Sequence, residues 1–143
     1  MPVAIHRNVD PAIARQLSDG IAGFNRTTVP NLEPNEAEVR FYAVATDDQG
    51  SVIGGLRAAC YWNTLHIELL WLNETARGIG MGRGLIEQAE DFACGQHCEK
   101  ALVETTSWQA RGFYERLGYT HLATLPDRPK GHASHYLAKT LAA

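Results

Sequence analysis

The sequence predicts a mixed α+β domain, because strand-like and helix-like segments follow one another in an irregular order along 143 residues. The predicted order is a strand and a helix, then three strands, then helix, strand and helix, then two final strands. Turn residues between neighbouring strands favour antiparallel pairing, which a regular strand–helix alternation would not provide. A chain of this length is typical of one domain, so we expect residues 1–143 to form a single domain.

Composition and charge argue against several classes of protein. The net charge of -3 and the isoelectric point near 6.0 do not favour binding to nucleic acid or to an anionic membrane. We find neither the apolar segment of a signal peptide nor a membrane span. Cys60, Cys94 and Cys98 lack the pattern of a disulfide scaffold. We therefore expect a cytoplasmic protein, and the absence of zinc-ligand spacing predicts no metal site.

The N-terminal part is predicted to form one strand and one amphipathic helix. Residues 3–7 have the composition of a short strand. Asp10 is a suitable N-cap, and Pro11 fits the first helical position, where its missing N–H is not needed. Residues 25–38 contain two prolines and several polar side chains, so we expect a loop or a short helical turn. The helix before them is expected to bury the face formed by Ile13, Leu17, Ile21 and Phe24.

Three strands are predicted next, the first two in a hairpin. Residues 39–46 and 51–62 have strand composition and flank the turn sequence Asp-Asp-Gln-Gly at positions 47–50. Two consecutive glycines inside the second strand indicate a bulge or a close approach of another backbone. Residues 65–72 are almost continuously apolar, as expected for a buried central strand.

The C-terminal part is predicted to alternate between helices and strands. Residues 82–93 have helical spacing, and residues 100–106 have the composition of a strand. A second helix is predicted to begin with Ser107 as its cap and to extend through Leu117. Residues 119–125 and 135–141 are expected to be the final antiparallel strands.

The most informative segment is Arg-Gly-Ile-Gly-Met-Gly at positions 77–82, between a predicted strand and a predicted helix. Glycines allow a tight turn and close approach of a ligand to the backbone, and the first N–H groups of a helix favour phosphate. A P-loop is excluded because no Lys-Ser or Lys-Thr follows the glycines. A dinucleotide fingerprint is excluded because no register places a glycine at its last position.

The pattern that fits is R-x-x-G-x-G, and a second motif follows it in Ala-Arg-Gly-Phe-Tyr-Glu-Arg-Leu-Gly-Tyr at positions 110–119. Together with the strand order, these motifs resemble the GNAT superfamily, the Gcn5-related N-acetyltransferases. The resemblance implies a central mixed, mostly antiparallel sheet flanked by helices, with two parallel strands that splay apart. It also implies acetyl-CoA as cosubstrate, bound in the gap between those strands.

The resemblance assigns cofactor contacts to particular residues. The backbone of Leu70, Trp71 and Leu72 would pair with the pantetheine arm. Ser107 stands where the family often has an asparagine that touches the cofactor, and Gln109 is a nearby alternative. The loop amides would bind the CoA pyrophosphate, with Arg77 opening the motif; they belong to Gly78, Ile79, Gly80, Met81 and Gly82.

The resemblance also implies direct transfer of the acetyl group in a ternary complex. Tyr114 matches the tyrosine that protonates the departing thiolate, and Glu68 is the candidate general base. Glu104 and His66 are alternatives to Glu68, and a chain of water molecules is another. A backbone N–H of residues 70–72 would polarise the thioester carbonyl.

The expected acceptor is a primary amine of a small molecule, an amino acid or a peptide. Residues 25–38 and 127–132 are the candidate segments for acceptor contacts. One alternative is a non-catalytic acyl-CoA-binding regulatory module, and another is a nucleotide-binding protein of a different class. Relatives in the superfamily are often dimers, so a homodimer is included among the expectations.

Overall fold

A computed structural model describes residues 1–141, in which two units are distinguished. The first is Met1–Ala37, and the second begins at Glu38. Among the described residues, no helix has the length and apolar character needed to cross a lipid bilayer. The expectation that residues 1–143 form one domain stays a prediction.

The first unit contains helix α1, Pro11–Thr28, and a short 3-10 helix, Asn35–Ala37. Asp10 caps α1 as predicted, because its Oδ1 accepts a hydrogen bond from the N–H of Ala12 at 2.9 Å. The predicted strand at residues 3–7 is wrong, because these residues pair with no other strand and a strand needs such a partner.

The expected burial of one face of α1 is also wrong. The four side chains of that face are exposed in the structure. Helical spacing of apolar residues indicates which face of a helix can pack, but burial of that face requires a second layer of structure. The first unit contains no other long helix and no sheet. The face comprises Ile13, Leu17, Ile21 and Phe24.

The second unit is built on a six-stranded sheet, whose strands are β1 Val39–Thr46, β2 Val52–Tyr61, β3 Thr64–Leu72, β4 Lys100–Thr106, β5 Thr120–Pro126 and β6 Ala133–Thr140. Their order in the sheet is β1-β2-β3-β4-β6-β5. Among the described residues only β3 and β4 are parallel and all other neighbours are antiparallel, so the predicted mixed, mostly antiparallel sheet is confirmed.

Helix α2, Met81–Gly95, covers one face of this sheet. Its apolar side chains pack on inward-facing residues of β2, β3 and β4, where period-two alternation places them. The helix buries Leu85, Ile86, Ala89 and Ala93. The helix predicted for this segment is confirmed, although Phe92, which was expected on the buried face, is 39% exposed and Glu90, which was expected to face outward, is buried.

Helix α3, Arg111–Arg116, is shorter than predicted. The sequence suggested that Ser107 caps a helix beginning there, but the chain first makes a turn and Ala110 occupies the N-cap position. The turn is stabilised by Gln109, whose Oε1 accepts hydrogen bonds from the N–H of Thr106 at 3.1 Å and the hydroxyl of Thr105 at 3.3 Å. These bonds hold the segment out of a helical conformation.

The parallel strands β3 and β4 separate partway along their length. Their pairing extends from Thr64 opposite Lys100 to Ile67 opposite Val103, and then it stops. A bulge lies at the same point, because Ile67 pairs with Ala58 of β2 and Leu69 pairs with Arg57, which leaves Glu68 as an extra residue. The predicted splay of two parallel strands is therefore present, and it opens a gap beyond Ile67.

Candidate active site

A cleft of about 550 Å³ occupies the gap between β3 and β4. One wall is the end of β3 and the other is the end of β4 with the turn that follows it. Helix α3 contributes part of the lining through two aromatic side chains. The residues that line the cleft include Glu68, Leu70, Trp71, Leu72, Glu104, Gln109, Phe113 and Tyr114.

The glycine-rich turn at the start of α2 presents a row of unused backbone N–H groups. Within residues 1–141, no N–H from Gly78 to Arg83 donates a hydrogen bond, whereas the next one, of Gly84, bonds to the carbonyl of Gly80 at 3.0 Å. Gly78 and Gly80 have φ angles of 78° and 83°, which side chains disfavour. Unbonded N–H groups at a helix N-terminus form a site suited to phosphate.

The third glycine of the motif serves packing rather than backbone freedom. A Cβ added to Gly82 would lie 3.2 Å from the ring of Phe113 and 3.3 Å from a methyl group of Leu72. Both contacts are tighter than ordinary van der Waals separation. The small residue therefore lets α2 begin beside the end of β3 and against α3.

Arg77 contacts the protein itself. Its Nε donates to the carbonyl oxygen of Leu72 at 3.1 Å, so the guanidinium joins the loop to the last residue of β3. Asn73, which the sequence did not single out, caps the intervening 3-10 helix by accepting from the N–H of Ala76 at 2.9 Å. These two side chains connect the strand to the glycine-rich turn at residues 77–82, which we call the anion loop.

The predicted pantetheine edge is open on one side. Leu70, Trp71 and Leu72 pair with β2 along one edge, but no strand within residues 1–141 pairs with their other edge. Backbone groups on an unpaired edge remain available to an extended ligand. The structure places this edge along the cleft, in line with the loop at the start of α2.

Tyr114 lies on α3 with its side chain almost fully buried at the cleft, only 4% exposed. Its ring packs against Phe113 and Tyr119, with centroid separations of 5.1 and 5.6 Å. Burial raises the pKa of the Tyr114 phenol to about 12. Within residues 1–141 no hydrogen bond occupies its hydroxyl. At neutral pH the phenol of Tyr114 is therefore protonated, and its O–H is available to donate a hydrogen bond.

Glu68 lies at the bulge, on the sheet face opposite α2. Its Oε1 accepts from Nε of Arg57 at 3.1 Å and lies 3.4 Å from Nη1 of Arg40, and its Oε2 is 3.5 Å from the same Nη1. The side chain is 17% exposed. Two guanidinium groups therefore hold the predicted base as an ion-paired carboxylate beside the cleft, and its role in proton transfer stays a prediction.

Of the two alternatives to Glu68, only Glu104 lines the cleft. Its Oε1 accepts from the hydroxyl of Tyr136 at 3.1 Å and from Nη1 of Arg128. The carboxylate of Glu104 raises the pKa of Arg128 above its usual range. His66 is exposed on β3 and lies outside the cleft lining.

Ser107 does not line the cleft, although the two residues after it do. Its hydroxyl accepts from the N–H of Ala133 at 3.2 Å and lies 3.3 Å from Nδ1 of His132. The ring of His132 meets Trp108 edge-on at 4.8 Å. Ser107 therefore joins the turn after β4 to the loop before β6, and its cofactor contact stays a prediction.

Tyr136 on β6, which contacts Glu104, was not singled out by the sequence analysis, and Phe113 was included there only as part of the second motif. Tyr136 carries no signal of its own, since an aromatic residue in a strand is ordinarily a packing residue. Residues 127–132 are a predicted acceptor segment, and Arg128 of this loop donates to the cleft residue Glu104, while contact with the acceptor stays a prediction. Within residues 1–141 no cluster of three or more metal-ligating side chains occurs.

A profile of the acetyltransferase (GNAT) family matches residues 12–119. The blasticidin-S acetyltransferase of Streptomyces morookaense is 39% identical over 125 residues, which cover 87% of this chain and 90% of that protein. The crystal structure of an acetyltransferase from Bacillus cereus has a TM-score of 0.81 at 26% identity, and the match covers 96% of this chain and 98% of that one. An aminoglycoside 6'-N-acetyltransferase complexed with coenzyme A shares the fold, with a TM-score of 0.65 at 19% identity over 100% of this chain and 98% of that one.

Proposed function

The chain belongs to the GNAT family of acetyltransferases, and from that premise we propose that it transfers the acetyl group of acetyl-CoA to a primary amine of a small molecule. Its membership confirms the resemblance drawn from the two sequence motifs. One observation carries the proposal, namely the row of unbonded N–H groups from Gly78 to Arg83 at the start of α2.

Acetyl-CoA fits this row of N–H groups because its pyrophosphate carries charge that they can stabilise. A helix N-terminus has a partial positive charge, and here several neighbouring N–H groups have no acceptor among residues 1–141. From the loop, the open edge of Leu70–Leu72 leads along the cleft and offers backbone groups to the pantetheine arm. When bound, acetyl-CoA supplies the activated thioester.

The transfer needs a nucleophile, a polarised carbonyl and a proton for the leaving group. In the proposed reaction the amine nitrogen attacks the thioester carbon, and a backbone N–H of the open β3 edge donates to the carbonyl oxygen. Tyr114 donates its phenolic proton as the carbon–sulfur bond breaks, so the thiolate leaves as a thiol. The amine loses a proton to Glu68 or to water, and a second proton transfer restores Tyr114.

Blasticidin S is the first acceptor to test, because the relative with 39% identity is named for acetylating it and spans most of this chain. Other primary amines extend the test to an alkyl amine, a diamine, an amino acid and a short peptide. A regulatory module that binds acyl-CoA without turnover would also use the anion loop. It would have no need of the free phenol of Tyr114.

The proposal is tested by measuring release of the CoA thiol from acetyl-CoA with each amine, together with calorimetric binding of CoA. We expect binding of CoA and acceptor-dependent thiol release with at least one amine. Failure to bind CoA would overturn the proposal altogether. Binding without turnover on any amine would replace it with the regulatory alternative.

A further inference from the structure

We propose that Glu104 binds the amino group of the acceptor through its carboxylate oxygen Oε2. This inference rests on the proposed function, because it concerns the second substrate of the same cleft. It assigns acceptor binding to the β4 wall, whereas the backbone contacts proposed for the cosubstrate lie on the β3 and α2 side.

Glu104 stands at the point where the gap opens. Val103 is the last residue of β4 that pairs with β3, so Glu104 is the first one beyond the paired region. Its neighbours Val103 and Thr105 are buried on the α2 side of the sheet, and alternation directs Glu104 to the opposite face. A molecule that reaches Glu104 therefore enters the cleft from the face opposite the anion loop.

The two oxygens of the Glu104 carboxylate differ in their hydrogen bonds. Tyr136 and Arg128 both donate to Oε1. Within residues 1–141, no donor reaches Oε2. Arg128 is itself held, since its Nη1 donates to the hydroxyl of Ser134 at 3.1 Å and its carbonyl accepts from that hydroxyl at 2.9 Å. The carboxylate is thus fixed through one oxygen and free at the other.

Glu68 on the facing wall provides the contrast. Both of its oxygens lie within hydrogen-bonding distance of a guanidinium nitrogen, and its side chain is less exposed than that of Glu104, at 17% against 38%. A new ligand at Glu68 would have to compete with two arginines. A ligand at Glu104 can use an oxygen with no protein partner.

The free oxygen of the Glu104 carboxylate is suited to bind an amino group. An ammonium ion carries only donors, and a charge-assisted hydrogen bond to a carboxylate is stronger than one between neutral groups. Arg128 and Tyr136 occupy the other oxygen, so the incoming nitrogen is directed to a single position. Glu104 is therefore a residue that binds and orients the acceptor, with Arg128 and Tyr136 as positioning residues.

The test replaces Glu104 with its neutral isostere and measures both substrates. Purified wild-type protein and Glu104→Gln are assayed with acetyl-CoA and the fastest amine among blasticidin S, propylamine and diaminobutane. We expect the acceptor KM to rise by about ten- to a hundredfold, as for loss of a hydrogen bond to a charged group. The KM for acetyl-CoA and the affinity for CoA should stay at wild-type values.

Three further variants separate binding from folding. Glu104→Asp restores the charge and should recover part of the acceptor affinity. Tyr136→Phe removes one donor to Oε1 and should raise the acceptor KM by about three- to tenfold, the effect of one ordinary hydrogen bond. Glu115→Gln breaks an ion pair of similar exposure on α3, with Arg111, and should leave both KM values unchanged.

The outcomes distinguish the two proposals. If the wild-type protein acetylates none of the amines, the proposed function fails and the acceptor assignment fails with it. If the wild-type protein is active but Glu104→Gln keeps the wild-type acceptor KM, the assignment is overturned and the function stands. A parallel rise in the KM for acetyl-CoA would also overturn it, since the effect would then not be specific to the acceptor.

Discussion

The two walls of the cleft offer ligands different parts of the polypeptide. The β3 and α2 wall presents backbone, in the N–H groups from Gly78 to Arg83 and the open edge of Leu70–Leu72. The β4 wall presents side chains, above all Glu104 with Tyr136 and the loop residue Arg128. Backbone contacts depend on conformation and suit a constant cosubstrate. Side-chain contacts change with each substitution and suit a substrate that differs between relatives.

The largest effect is expected from a change that alters backbone conformation on the first wall. Gly80 has φ of 83° at the N-cap of α2, and Gly80→Val would force a β-branched residue into a conformation that it strongly disfavours. We expect CoA affinity to fall by about a hundredfold or more, since strain and misplaced amides act together. Isothermal calorimetry measures this directly.

The matched control for Gly80→Val is Gly84→Ala. Gly84 lies within the first turns of α2 without a positive φ, and a Cβ there would meet no atom within 4 Å. Alanine also has the higher helix propensity. CoA affinity should stay at the wild-type value, and equal losses in the two variants would contradict a role for loop conformation.

The next largest effect is expected from removal of the Tyr114 hydroxyl, the proton donor proposed between the two walls. Tyr114→Phe keeps the packing of the ring and removes the proton, so we expect kcat to fall by about a hundredfold. The KM values for both substrates should change little, because the role proposed for the phenol concerns only the leaving group. Steady-state kinetics with saturating acetyl-CoA provide the measurement, and an unchanged kcat would remove the acid role.

A pH titration of the Tyr114 phenol tests the same proton donor. Because burial raises the pKa of Tyr114 to about 12, its donor should remain protonated through the range where an ordinary tyrosine ionises, near pH 10. A folded-state pKa above the unfolded one stabilises the protein fully below about pH 10, and this stabilisation is lost as the pH rises through about 12. Ultraviolet difference titration of wild type against Tyr114→Phe should show no tyrosinate signal from this residue at pH 10.

The smallest effect is expected from the core beneath both walls. Tyr119 donates to Oε2 of Glu90 at 2.7 Å, and Lys139 donates to the same carboxylate at 2.9 and 3.1 Å. Tyr119→Phe leaves Glu90 with Lys139 as its partner, so we expect a loss of about 1–2 kcal/mol in the free energy of unfolding. Urea unfolding measures it. A selective change in the KM of one substrate would show that this network acts on one wall.

The first wall could be predicted from sequence far better than the second. Glycines at a strand-to-helix turn leave a local pattern, and the positive φ angles of Gly78 and Gly80 confirm the predicted tight turn, while their contact with CoA stays a prediction. Tyr136 had no such pattern, because its place beside Glu104 depends on the pairing of β6 with β4, more than thirty residues away in sequence. Contacts between distant strands follow from topology, which local patterns do not specify.

The errors of prediction have the same origin. Ser107 has the composition of a helix cap, but Gln109 takes hydrogen bonds that hold the preceding turn in another conformation, and α3 begins at Arg111. The apolar spacing of α1 correctly predicted a helix, but the predicted burial of its apolar face was wrong. In both cases the local sequence correctly indicated a conformation or contact that is accessible to these residues. Interactions with the rest of the chain determined which one they adopt.

The bulge on β3 has a consequence for how the cleft arises. Ile67 and Leu69 already lie on opposite faces of the sheet, opposite Ala58 and Arg57, so the strand would keep its inward and outward assignments without Glu68. We expect a variant that lacks Glu68 to form a regular β3 that pairs with β4 beyond Ile67. The gap between the two strands would then close while the hydrophobic layer under α2 stayed intact, so the cleft is expected to depend on this one extra residue.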